Sequence, residues 1–284
     1  MQLFDNYKNY LIGRSYSERT VYIYLKALYR FKQWIERRYT IFDPAAITSL
    51  DIADYRRYLQ NQGKKPATVN LAIDVIKAFF SWANSNGCVK VNPAAEVKRV
   101  SEQRKAPEWL NKKEIGSLMR AVQKYGTLRD YTLITLLFHT GLRINEACSL
   151  KKEDLVIRER SGYVCVRHGK GDKYREVPLN ITARKVLETY MAAEFNDCWL
   201  FPGRKGPIST RTAERIIKKY AQLSGVEVTP HTLRHTFGKL LVDAGESLDR
   251  VAVLMGHSNL NTTARYTKPS LHDLESSVEK ITWD

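Results

Sequence analysis

From Glu18 to Tyr39 the apolar residues Val21, Leu25, Leu28, Phe31 and Ile35 recur every three to four positions, and a similar rhythm runs through most of the chain. Side chains spaced this way share one helix face, which constrains the chain to a mainly helical fold. Ser49 is placed to cap a second helix that ends near Gly63. Pro66 suits the first turn of a third, where its missing N–H has no partner to lose. Val69, Ile73, Ile76, Phe80 and Ala83 line one side of that helix, Asn86-Gly87 closes it, and Asn92-Pro93 opens a short last turn. Residues 1–100 therefore read as a small four-helix domain.

Residues 101–110 are polar and contain Pro107, as a linker would. Asn111-Lys112-Lys113-Glu114 resembles a capping box with Asn in the first place. Helices are expected over 111–124 and 127–139, and another starts near Arg143 after the break at Gly141. Only residues 155–178 depart from the helical rhythm. Val156, Ile157, Tyr163, Val164, Val166 and Val177 suit short strands, and Gly162 and Gly169-Lys170-Gly171-Asp172 suit turns. A small antiparallel sheet with Lys170 at a hairpin tip is expected. Helices resume at about 180–194, 210–224, 231–244 and 247–255, a short one carries Tyr266, and a last one covers about 270–280. The fold class is mainly α with a small antiparallel β-sheet: a helical domain (1–100), a linker (101–110) and a mixed α/β domain (111–284).

Charge narrows the partner. Lys and Arg number 46 against 30 Asp and Glu, a net of +16. Residues 1–100 hold 16 basic and 8 acidic side chains and residues 101–284 hold 30 and 22, so each part carries +8. Two basic domains suit one polyanion held from two sides. The cysteines Cys88, Cys148, Cys165 and Cys198 form no CxxC pair, which argues against zinc ligation or a disulfide framework and fits a reducing cytosol. The first residues show no signal-peptide pattern, and no apolar run reaches membrane-spanning length, so a cytoplasmic, nucleoid-associated protein without a membrane partner is expected.

Six side chains carry the candidate chemistry: Arg143, Lys170, His231, Arg234, His257 and Tyr266. A phosphodiester under attack gains negative charge on its non-bridging oxygens, and the planar, permanently charged forks of Arg143 and Arg234 suit them. Tyr266 is the candidate nucleophile. Its phenol needs help to lose a proton at neutral pH, from His231 or a neighbouring cation. The leaving sugar oxygen needs a proton, for which Lys170 is the candidate acid and Lys173 the second choice. His257 is placed to bond a non-bridging oxygen or to orient Tyr266, and Glu146, three residues after Arg143, to fix a guanidinium. Other chemistries fail on spacing. His231 and His235 stand four apart, but Thr232 rather than Glu follows the first. Gly169-Lys170-Gly171 lacks the rest of a P-loop, and no Gly-x-Ser-x-Gly is present. Neither metal nor cofactor is required.

His139-Thr-Gly-Leu-Arg-Ile-Asn-Glu146, Gly169-Lys-Gly-Asp-Lys-Tyr-Arg-Glu-Val-Pro178, Pro230-His-Thr-Leu-Arg-His-Thr-Phe237 and Leu254-Met-Gly-His-Ser-Asn-Leu-Asn-Thr-Thr-Ala-Arg-Tyr-Thr267 together resemble the tyrosine recombinase (phage integrase) family, of the Xer-like or transposon-borne resolvase type. Thr68-Val69-Asn70 and Asn92-Pro93-Ala94 are similar to its SAM-like core-binding domain. The resemblance implies a C-shaped clamp on double-stranded DNA at a specific recombination site. Tyr266 would form a 3′-phosphotyrosine and free a 5′ hydroxyl, and the partner strand's hydroxyl would reverse the linkage without ATP or metal. It further implies a homo-tetramer on two sites, strand exchange through a Holliday junction, a docking role for residues 270–284, and room for accessory DNA-binding proteins. Asn145, Met255 and Gly238-Lys239 depart from the Xer-type pattern and favour a mobile-element enzyme that resolves transposon cointegrates. The alternatives are an Xer-type chromosome-dimer resolvase, a type IB topoisomerase-like relaxing enzyme and, last, a non-catalytic DNA-binding regulator.

Overall fold

The computed structural model describes residues 2–102, 108–167, 174–193, 197–257, 260–267 and 278–279. The chain divides into two compact units, 1–104 and 105–284.

The first unit holds α1 (Gln2–Gly13), α2 (Glu18–Tyr39), α3 (Ser49–Asn61) and α4 (Pro66–Ser85). Three details correct the sequence expectation. Helix α1 was not anticipated, although Phe4, Tyr7 and Leu11 recur at helical spacing and all three are buried. The Asn92-Pro93 segment is a turn, not a helix: the Asn92 side-chain oxygen accepts from the Ala94 N–H at 2.9 Å, which competes with a helical start. The cap of α3 is Thr48 rather than Ser49, reciprocated by Asp51, whose carboxylate accepts the Thr48 N–H at 2.9 Å. Leu28, Phe31 and Ile35 of α2 meet Ile73, Ile76 and Phe80 of α4 in a core that also takes Ile52 and Tyr55 from α3. Phe79 sits among α1 side chains, its ring edge-on to Phe4 at 5.4 Å and Tyr7 at 5.3 Å. Asn70, buried on α4, bonds both polar groups of Val100 and so ties down the end of the unit.

In the second unit α5 (Lys112–Tyr125) begins with the expected box, Asn111 and Glu114 each accepting the other's N–H. Helix α6 (Leu128–Thr140) is buried almost all round, from Thr132 to Leu137. It is followed by α7 (Ile144–Cys148) and the strands β1 (Leu155–Ile157), β2 (Gly162–Val166) and β3 (Arg175–Pro178), an antiparallel sheet in that order. Val164, Val166 and Val177 point into the core, as the two-residue repeat of a strand requires. Then come α8 (Ile181–Ala192), α9 (Thr210–Ser224), α10 (Pro230–Asp243) and α11 (Leu248–Met255), with α8 and α10 against α6 and α9 against α5. Short 3₁₀ turns at Leu260–Thr262 and Ala264–Thr267 complete the described fold, and the second carries Tyr266. The hairpin tip with Lys170 and Lys173, and most of the helix expected at 270–280, lie outside the described residues. Among the described residues no helix is long and apolar enough to cross a membrane.

Gly141 decides how α6 meets the site. Its φ of +59° suits glycine, and a Cβ there would strike the Phe237 ring of α10. The close approach brings its carbonyl against α10, where Arg234 lies.

Candidate active site

Arg143 is the N-cap residue of α7. Its backbone N–H donates to Glu146 Oε2 at 2.8 Å and its Nη1 to Glu146 Oε1 at 2.9 Å. Its Nη2 donates to the Gly256 carbonyl at 2.9 Å. Glu146 is buried and receives a second guanidinium: Arg175, the first residue of β3, donates Nη1 to Oε1 at 3.0 Å and Nη2 to Oε2 at 2.7 Å. Burial alone would raise the Glu146 pKa. The bonds from Arg175 and Arg143 outweigh it and hold the carboxyl below its usual range, so it is ionised at neutral pH.

Arg234 is held differently. It is 5% exposed, and its Nη1 and Nη2 donate to the carbonyls of Gly141 and Met255. Those carbonyls end α6 and α11, where the helix dipoles are negative and favour a cation. Burial, and then the charge of Arg143, lowers its pKa to about 10, which leaves it cationic at neutral pH. Met255 and Gly256 are consecutive, so one chain turn grips both Arg234 and Arg143. Three guanidiniums and one carboxylate leave this cluster with a net charge of +2.

Tyr266 is 1% exposed. Its ring packs with Val251 and Met255 against Gly238, where a Cβ would come within 2.8 Å of the tyrosine ring. The hydroxyl lies 2.9 Å from Nδ1 of His235. His257 stacks its ring on Tyr266, with centroids 6.4 Å apart and planes at 15°, and its Nδ1 is 2.9 Å from Thr263 Oγ1. His231, expected beside the tyrosine, is exposed and stacks on His235 at 6.1 Å.

The structure thus joins Arg143 to Glu146 through the carboxylate and to Arg234 through neighbouring carbonyls, and sets His257 beside Tyr266. It places His235, not His231, on the Tyr266 hydroxyl. Lys170 lies outside the described residues. Sequence reasoning missed Arg175 and His235. The only signal for His235 was its place one helical turn after His231, on the same face. For Arg175 it was an arginine opening a strand whose alternate residues go inward. Among the described residues no cluster of His, Cys, Asp and Glu side chains is placed to hold a metal.

Residues 108–272 match the phage integrase family, and residues 3–86 match the phage integrase N-terminal SAM-like domain. The chain belongs to the phage integrase family of tyrosine recombinases. This tyrosine recombinase is 35% identical to tyrosine recombinase XerC of Thermodesulfovibrio yellowstonii over 77% of each chain. It is 30% identical to tyrosine recombinase XerD of Listeria innocua over 93% of each. Its fold is similar to that of XerH site-specific recombinase in a post-cleavage complex with a palindromic difH substrate (TM-score 0.79, 22% identity, 94% of this chain and 81% of that one). It is also similar in fold to the Tn1549 transposon integrase in complex with a circular intermediate DNA (TM-score 0.74, 21% identity, 99% of this chain and 98% of that one). The recombinase is therefore an enzyme of site-specific strand exchange, with a mainly helical two-domain fold and a small antiparallel sheet.

Proposed function

We propose that this recombinase cuts and rejoins double-stranded DNA at a specific site through a 3′-phosphotyrosine on Tyr266, as a tetramer on two sites, and that it resolves transposon cointegrates. Tyr266 Oη forms a bond to the scissile phosphorus while the bond to the 5′ oxygen breaks. The phenolic proton passes to His235 Nδ1, the ring nitrogen that faces it. The departing 5′ oxygen takes a proton from Lys170, which this reading carries over from the sequence. The phosphorane is a dianion, and the +2 cluster of Arg143, Arg175, Arg234 and Glu146 is of matching charge. His257 stacks on the tyrosine ring and steers it. Because Tyr266 is 1% exposed, the 264–267 turn must shift before its hydroxyl can meet a phosphorus.

One observation carries the reading: Arg143 and Arg234 are aimed by consecutive carbonyls, Gly256 and Met255, whose own segment leads directly to Tyr266. The second reading, an Xer-type chromosome-dimer resolvase, has the XerC and XerD relatives in its favour. The departures from the Xer-type pattern at Asn145, Gly238-Lys239 and Met255 are what favours the first.

The test uses nicked suicide duplexes tiled across the DNA that flanks the gene. Wild-type protein is expected to form a covalent adduct mapped to Tyr266, and Tyr266→Phe to bind the same DNA without one. No adduct on any duplex, or an adduct that survives Tyr266→Phe, overturns the enzyme reading of the site. Deleting the gene separates the two roles: persistent cointegrates support the first, and chromosome dimers without cointegrates support the second.

A further inference from the structure

Glu146 has four acceptor positions for a buried carboxylate, and all four receive a donor: two from Arg143 and two from Arg175. Arg175 reaches it from β3, 29 residues along the chain. Its side chain is 12% exposed and lies against Gly256, where a Cβ would come within 2.9 Å of the guanidinium. Gly256 is also the residue whose carbonyl holds Arg143 Nη2. Arg175 therefore bonds one anchor of Arg143, the carboxylate, and packs against the residue that carries the other, Gly256.

We infer that Arg175 is a positioning residue for strand cleavage: by sharing Glu146 it fixes the Arg143 fork toward the scissile phosphate and keeps the Arg143 charge from being cancelled. The reasoning is electrostatic and geometric. With both arginines present, one carboxylate is divided between two cations, and the pair retains a net positive charge. Without Arg175, Glu146 loses two of its four donors and is free to turn both oxygens onto Arg143. The ion pair is then neutral, Arg143 presents fewer donors to an incoming phosphate, and Gly256 loses the side chain packed against it. Arg175 itself does not touch the reacting atoms in this account; it acts through Glu146 and Gly256. The inference rests on the cleavage chemistry proposed above.

The test is single-turnover cleavage of the suicide duplex, read beside DNA affinity and thermal melting. Arg175→Met keeps the length and removes the charge. Cleavage is expected to fall roughly 10²-fold, the size of a misplaced catalytic group, with affinity changed by less than about twofold. Arg175→Lys, able to hold one Glu146 oxygen but not both, is expected to recover part of the rate. The decisive readout is a double-mutant cycle with Glu146→Gln. If Arg175 works chiefly through the carboxylate, Arg175→Met costs much less in the Glu146→Gln background than in the wild type, with only the packing on Gly256 left to lose. Losses that multiply, or wild-type cleavage by Arg175→Met, overturn the inference while leaving the Tyr266 adduct in place. Should Arg175→Met melt out, the same cycle run with Arg175→Lys decides: coupling to Glu146→Gln supports the role and independence overturns it. Absence of any adduct with wild-type protein would instead bring down the cleavage reading, and this role with it.

Discussion

The two units bury different things. Among the described residues twelve polar or charged side chains are buried, and only Asp51 and Asn70 belong to the first unit. The other ten, Glu146, Arg234 and Asp130 among them, lie in the second. The interior of the first unit is aliphatic and aromatic, with Phe4, Tyr7, Phe31, Phe79 and Phe80 packed ring against ring or into the helices. Such a core gains its free energy from area removed from water and tolerates change as long as volume is kept. The second unit has an apolar core of its own, but burial of charge is costly unless donors and acceptors are met, so its buried cluster of Glu146 and the arginines specifies geometry more than it adds stability. Substitutions in the aromatic core of the first unit should therefore cost stability, and substitutions in the charge cluster of the second should cost chemistry.

The largest effect should come from the apolar core. Phe79→Ala is expected to destabilise the protein by about 3–5 kcal/mol, as loss of a fully buried aromatic ring does. Urea unfolding measures it, and a loss under about 1 kcal/mol would mean the aromatic cluster is not what holds the first unit. Next is Arg143→Lys. A lysine cannot reproduce the fork that joins Glu146 to Gly256, so cleavage should drop about 10²-fold with DNA affinity retained. Near-wild-type cleavage would remove Arg143 from the site and blur the contrast between the units. A smaller effect is expected at Gly238→Ala, where the added methyl meets Met255 and the Tyr266 ring. Overpacking there should lower stability by roughly 1–3 kcal/mol, and limited proteolysis should show the 264–267 turn released. A melting temperature equal to wild type would show that the tyrosine seat yields freely.

The smallest effect is a dependence on acid. The folded pKa of Glu146 lies below its ordinary 4.5, so its contribution is fully present above that value and is lost as pH falls through the lower folded one. Glu146→Gln should flatten that part of the stability curve, measured as melting temperature on going from neutral to acid pH. An unchanged slope would mean that other carboxylates carry the acid sensitivity. In the first unit, Asp51 offers a control: burial opposes its ionisation, but bonds from Tyr39 and Thr48 hold its pKa low.

Much was legible before any coordinates. The helices from α2 to α11 and the strands at 155–178 follow from apolar spacing, caps and turn residues, all signals carried within a few neighbours. The motif residues Arg143, Arg234, His257 and Tyr266 stood out by type and spacing in the same way. What sequence could not supply was the pairing. Arg234 finds the carbonyl of Gly141, 93 positions away, and Arg143 finds that of Gly256, 113 positions away. No local pattern encodes which carbonyl an arginine will meet, because that depends on where two helices end after the core has packed.

The histidines show the limit most clearly. His231 and His235 share a helix face one turn apart, so spacing admits either as the partner of Tyr266. Only the packing of the 264–267 turn against Gly238, where the missing side chain leaves room for the ring, brings the hydroxyl to His235. Local periodicity and residue chemistry determined the helices, the sheet and the kinds of group in the site. Tertiary packing alone decided which of them touch, since those contacts join segments that are distant in the chain and become neighbours only when apolar surface is buried.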